Sequence, residues 1–301
     1  MGRLLEVALF HPRIRALLKS DARGFREVGD RAEVQQENRF VSRSRIVASV
    51  AYGSATGFLA GLVGLGGAEE RIPFVLYYLK LPLEDMIVAN LLISLATSAF
   101  NFAIRIHVGV WASDATAISL AMIVGSLPGA YAGASLSHKV SVRALKGFIA
   151  FVLTLVIARI TLGLLVGVGP GQGLAFPLEM LLSLLAGFGV GIVSGSVGVA
   201  GGEYRIPILT YILGLPIKIA GTASQIVSLP TVLVSLWRHR RLGFFSMRSL
   251  QTALMLGVPS VVGAALSGFL VAGIPSSNID IVFVLLLGYT VFRLAWEVVH
   301  D

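Results

Sequence analysis

The sequence predicts an all-α polytopic membrane protein built from two inverted-topology repeats of about five hydrophobic segments each. Three observations predict it. The 301 residues are 55% hydrophobic and only 13% charged, with mean hydropathy +0.84, whereas about a quarter of a soluble domain is charged. Several apolar runs reach the ~18 residues that mark a membrane-spanning helix. The stretch Gly57–Leu81 (GFLAGLVGLGGAEERIPFVLYYLKL) recurs without a gap as Gly191–Leu215 (GIVSGSVGVAGGEYRIPILTYILGL), 134 residues further on. Self-similarity at a long fixed period is read before any local signal.

Residues 1–45 are a different material, with ten Lys or Arg and six Asp or Glu. They read as a basic cytoplasmic tail with a short surface-lying helix over Arg3–Lys19. Acids mixed among the bases, and no apolar core before a small-residue cleavage site, argue against a signal peptide. The first membrane repeat is expected over 46–168 and the second over 178–301. Apolar segments fall near 46–64, 72–80, 84–105, 115–136 and 146–168, then 178–198, 206–217, 219–237, 249–272 and 279–299. Segments 72–80 and 206–217 are too short for the ~20 residues of a full crossing. Each follows a glycine break and is expected to be a half-helix with proline in its first turn.

Basic residues orient the chain. Arg43 and Arg45 precede the first segment, His138, Lys139, Arg143 and Lys146 follow the fourth, and Arg238, Arg240, Arg241 and Arg248 follow the eighth. The loops 169–177 and 273–280 carry no Lys or Arg. Alternate threading puts the three basic clusters on one side and both bare loops on the other, so both termini are expected in the cytoplasm. An odd number of segments per repeat makes the halves enter the membrane from opposite sides, an arrangement common in secondary transporters.

The glycine breaks are the first candidate site. Gly64, Gly66 and Gly67, with their counterparts Gly198, Gly201 and Gly202, let backbone leave the helix and approach a ligand. Irregular backbone at membrane depth is tolerated only inside protein or beside water. The half-helices that follow present N-termini that favour an anion. Close helix packing is the competing use of such glycines.

Charges beside the breaks come second. Glu69 and Arg71, with counterparts Glu203 and Arg205, are costly at depth and so expected to be paired or functional. Desolvation raises a glutamate's pKa and suits it to carry a proton in ion coupling, and the arginines suit an anionic substrate or the neighbouring acids. Arg159 and Arg293 are also counterparts, each inside an apolar run. They are expected to form structural ion pairs, with Glu69 and Glu203 as the acids within reach. Third, Asn90, Ser94, Thr97, Asn101 and Arg105 are spaced four, three, four and four, on one helix face. Their counterparts Ser224, Ser228, Thr231, Ser235 and His239 are polar throughout, and Gln225 adds to the second copy. A polar face of this kind is expected to point inward, where Asn90, Ser94, Ser224, Gln225 and Ser228 would meet substrate.

No catalytic constellation emerges, and an enzyme is not expected. Cysteine is absent, the five histidines lack metal-ligand spacing, and there is no P-loop. No metal or cofactor is expected.

The paired motifs GLGGAEERIP and GVAGGEYRIP, with IAGTASQIVSLP from Ile219, resemble those of the TauE/SafE family of sulfite-exporter-like permeases. The resemblance runs from about Ile46 to the C-terminus. It implies a bacterial inner-membrane permease for sulfite, organosulfonates or related small anions, with the glycine signature on Gly64, Gly66, Gly67, Gly198, Gly201 and Gly202. The expectation is therefore alternating access around a central anion site, coupled to H+ or Na+. Expected partners are the anion, the coupling ion and membrane lipid, with self-association left open and nucleic acid not expected. A passive anion channel and a non-transporting scaffold are the alternatives.

Overall fold

Long apolar runs give the helices, and glycine interrupts them at corresponding places in both halves. A computed structural model describes residues 43–136, 154–158, 160–162 and 174–300. Helix α1 (Arg43–Val63) stops at a glycine break, and short α2 (Ala68–Pro73) runs directly into a π-helical turn at Phe74–Tyr78. Then follow α3 (Leu83–His107) and α4 (Asp114–Leu136). The second half repeats the order as α5 (Phe176–Val197), α6 (Gly202–Pro207) with a π-turn at Ile208–Ile212, α7 (Ile217–Arg241), α8 (Met247–Leu270) and α9 (Ser276–His300). All described regular structure is helical. Among the described residues, seven helices are long and apolar enough to cross a membrane: α1, α3, α4, α5, α7, α8 and α9 up to Arg293. Their outward faces carry exposed Leu254, Val258, Leu266, Leu285 and Phe292, as a lipid-facing surface requires. The chain divides into two compact units, Met1–Ala48 and Ser49–Asp301, and of the first only 43–48 are described.

The short segments begin earlier than the sequence suggested. Proline was expected in their first turn, but Pro73 and Pro207 are the last residues of α2 and α6. The E-x-R triplets are therefore helical, not a turn ahead of the helix. Proline has no N–H for the ladder, and beyond it the bonding widens, Leu79 N to Phe74 O at 2.9 Å and Leu213 N to Ile208 O at 3.0 Å.

The correspondence at offset 134 extends to the backbone. Among the described residues, positive φ occurs in pairs of counterparts: Gly64 (101°) with Gly198 (78°), Gly67 (64°) with Gly201 (77°), Lys80 (58°) with Gly214 (78°), and Gly109 (77°) with Gly243 (82°). At the two break pairs this region is open to glycine and costly for other residues.

Packing exchanges partners between the halves. Gly125, Gly129 and Gly133 of α4 press on the α5 backbone at Leu184, Phe188 and Ile192, and Gly187, Gly191 and Gly195 of α5 return the contact on α4. The counterpart seam joins α1 to α8, where Gly53, Gly57 and Gly61 meet Leu256, Ser260 and Ala264. In each case the first helix of one half lies on the fourth helix of the other. Small residues at fourfold spacing let backbones approach this closely. The third helices obey the same exchange, α3 against α8 and α7 against α4, and α3 and α7 also meet each other.

Candidate functional site at the paired glycine breaks

Each break is held by the arginine that follows it. Helix α1 ends with Gly64 N and Leu65 N both bonded to Ala60 O, at 2.9 and 2.7 Å, which leaves the next carbonyls without helical donors. Arg71 Nη2 donates to Gly66 O at 2.6 Å and to Ser94 Oγ on α3 at 2.9 Å. In the second half, Arg205 Nη2 donates to Ala200 O at 2.7 Å and Nη1 to Ser228 Oγ at 2.8 Å. Gly66 corresponds to Ala200 and Ser94 to Ser228, so the two clasps have the same pattern. Both arginines are fully buried. Each keeps one nitrogen without a partner, Nη1 of Arg71 and Nε of Arg205.

The breaks also reach one another. A Cβ on Gly66 would lie 2.5 Å from the Cβ of its counterpart Ala200. Gly64 is packed against Gly221 of α7, and Gly198 against Ile87 of α3. Gly202 lies beside Leu65 and the Ser224 hydroxyl. Asn90 ties the two together: Nδ2 donates to Ala68 O at 3.0 Å and to Gly198 O at 3.1 Å, while Oδ1 accepts from Arg71 Nε at 3.2 Å. Its counterpart Ser224 is too short to do this. There Arg205 Nη1 bonds Ser224 O at 2.6 Å instead, and Ser224 Oγ has no partner.

The polar stripe points inward, as its spacing suggested. Asn90, Ser94, Thr97, Asn101 and Arg105, and all five counterparts, are at most 3% exposed. Gln225 Nε2 donates to Asn101 Oδ1 at 2.6 Å across the α3–α7 contact. Arg105 Nη2 donates to Leu62 O at 2.8 Å, and its counterpart His239 lies 3.0 Å from Gly195 O through Nε2. Both supply groups to the ends of the interrupted helices.

Beside the arginines lies an acidic group. Glu69 and Glu70 are 4% exposed and Glu203 is 0% exposed. Carboxylate oxygens from all three lie within 4.8 Å of one another, close enough to hold a metal ion. Thr290 Oγ1 on α9 donates to Glu203 Oε1 at 3.2 Å, and Arg293 Nη1 donates to the backbone carbonyl of Glu69 at 2.6 Å. Arg293 was expected in an ion pair with Glu69 or Glu203; the bond it makes here is to the Glu69 backbone. Arg159 lies outside the described residues. Glu70 joins Glu69 and Glu203 here, although the repeat pairs only those two. On a helix with a single buried face, neighbouring residues would point to different sides. Helix α2 is enclosed on every side, with Ala68 through Ile72 all buried, so consecutive acids both face protein. The signal available was the EE pair itself, where the second copy has Glu203-Tyr204.

Seven long apolar helices around two buried, polar chain breaks define a multi-pass membrane protein with an internal polar centre. The chain belongs to the sulfite exporter TauE/SafE family, whose description matches residues 8–160 and 183–300. It is similar to a probable membrane transporter protein of Methanocaldococcus jannaschii, 34% identical over 109 residues. That match covers 35% of this chain and 40% of the relative, less than half of its length. No solved structure matches the chain.

Proposed function

We propose that the protein is a secondary transporter of small anions, with sulfite, organosulfonates and related sulfur-containing or organic anions as the substrate class. The observation that carries this reading is the contact of the two breaks at Gly66 and Ala200, with an unpartnered buried nitrogen on Arg71 and on Arg205. A small anion held there would meet a positively charged, backbone-rich centre flanked by Ser94, Ser224, Gln225 and Ser228. Planar guanidinium groups match the oxygens of sulfite or a sulfonate. Gly64, Gly67, Gly198, Gly201 and Gly202 give the shape of the breaks, and Asn90 joins them. Glu69 and Glu203 carry the coupling ion. The two halves cross the membrane in opposite senses, both termini face the cytoplasm, and alternating access follows from rocking the α1–α3–α8 group against the α4–α5–α7 group. Family membership supports the substrate class, and the relative's name supports transport.

Flux in proteoliposomes tests the reading. Sulfite and a sulfonate should be taken up saturably and driven by an imposed H+ or Na+ gradient. Ungated, non-saturating anion flux would replace the transporter with a channel. Absence of flux for every anion tried would favour a scaffold.

A further inference from the structure

Glu70 is left without a role by that reading. Its side chain is 96% buried (4% exposed), points at Glu69 and Glu203, and has no hydrogen-bond partner on either oxygen. Glu69 Oε1 and Glu203 Oε2 are also buried without partners. The hydrogen bonds of Tyr52, Arg71 and Arg205 run to other acceptors, and Arg71 Nη1 and Arg205 Nε meet none. The Tyr52 hydroxyl bonds the backbone carbonyl of Glu70 at 2.6 Å, Arg293 reaches the backbone carbonyl of Glu69, and Arg71 and Arg205 clasp the breaks. Four buried carboxylate oxygens with no donor bear the full desolvation penalty if nothing meets them.

We propose that Glu70 completes a three-carboxylate site with the counterparts Glu69 and Glu203, and that this site takes a desolvated monovalent hard cation such as Na+. The donors are all oxygen, carboxylates with the Thr290 hydroxyl beside them, which selects hard cations over soft ones. Ligand oxygens on opposite sides of such a cation are about 4.8 Å apart, at about 2.4 Å each, so groups within 4.8 Å of one another can share one cation. Charge favours a single positive charge over two. Arg71, Arg205 and Arg293 lie close enough to balance the three carboxylates, so each charge a cation brings is uncompensated, which disfavours two more than one. Two ligands come from α2 and one from α6, so the cation would join the two halves where they meet. The site shares Glu69 and Glu203 with the coupling role proposed above and gives that role a chemical identity, but cation binding itself does not depend on transport.

The test is thermal unfolding of the purified full chain in detergent, with NaCl replacing choline chloride at constant ionic strength and no candidate substrate present. Na+ should raise the melting temperature saturably, since a ligand of the folded state stabilises it. Glu70→Gln should raise the half-saturating Na+ at least about tenfold, because affinity follows ligand charge. Thr290→Val provides a milder variant should Glu70→Gln not fold, with a smaller shift in the same direction. Glu84→Gln, on the exposed first turn of α3, should change nothing. A melting temperature indifferent to Na+, or an Na+ response equal in wild type and Glu70→Gln, would overturn the proposal. So would stabilisation by MgCl2 alone, or a pH response that ignores Na+ and disappears in Glu70→Gln, which would assign the group to protons. Na+ binding without anion flux would leave this site standing and remove the transporter reading. Flux driven by a gradient without Na+ binding would do the reverse.

Discussion

Gly66 and Ala200 stand 134 positions apart in the sequence and touch in the fold, each the other's counterpart. Residues that meet their own counterparts mark where two related halves converge. Here the convergence falls on the glycine breaks, and Glu69 with Glu203 repeats it a few residues on.

That contact sets the first prediction. Gly66→Ala should destabilise by about 1–3 kcal/mol through overpacking. Ala200→Gly added to it should restore much of the loss, since the methyl group has only changed sides. Thermal unfolding of the two variants and the wild type measures this, and no recovery in the double variant would show that the strain lies elsewhere.

Removing an arginine clasp should unfold its break. Arg205→Ala strips donors from Ala200 O, Ser224 O and Ser228 Oγ, at about 1–3 kcal/mol for each buried group left unmet. Expression and melting temperature should both fall. A variant that stays stable and loses only anion affinity would leave Arg205 its place at the substrate and remove its part in holding the break.

Asn90 and Ser224 are counterparts with unequal duties, so their substitutions should differ. Asn90→Ala breaks bonds to both breaks and should cost about 2–4 kcal/mol, while Ser224→Ala removes an unpartnered hydroxyl and should cost under about 1 kcal/mol. Chemical unfolding of the two variants side by side reads the difference. Equal losses would mean that the Asn90 bridge contributes little.

Glu203→Gln keeps the shape and the Thr290 contact while removing a charge. It should leave the protein folded and anion exchange across the membrane intact, but abolish the response to an imposed ion gradient. The comparison is counterflow against gradient-driven uptake in the same vesicles. Undiminished gradient-driven uptake would exclude Glu203 as the residue that carries the coupling ion.

What could be read beforehand depended on the range of the interaction. The break, the short helix and the polar stripe are local patterns, and the repeat doubled each of them, so Asn90 to Arg105 and Ser224 to His239 were placed on buried faces correctly. Gly53, Gly57 and Gly61, and again Gly187, Gly191 and Gly195, lie on partner helices that no local pattern names. Spacing within one helix says nothing about which helix will lie on it. The role of Glu70 was hidden for a related reason, since it follows from enclosure of α2 on all sides. The arginine clasps were half legible: Arg71 and Arg205 stood out as buried charge, yet their bonds to the carbonyl five residues earlier follow from the winding of a helix that was expected to start later.

The exchanged seams also have a timetable. Helix α4 meets α5 soon after it is made, with Met122 and Gly187 separated by 65 residues of chain (122 to 187). Helix α1 must wait for α8, and Gly53 and Leu256 are 203 residues apart (53 to 256). At about 5–20 residues per second of synthesis, that is a delay of roughly 10–40 s. Two contacts that look alike in the finished molecule are thus made under different conditions. During translation the glycine face of α1 has no α8 to meet until nearly the whole chain has been made.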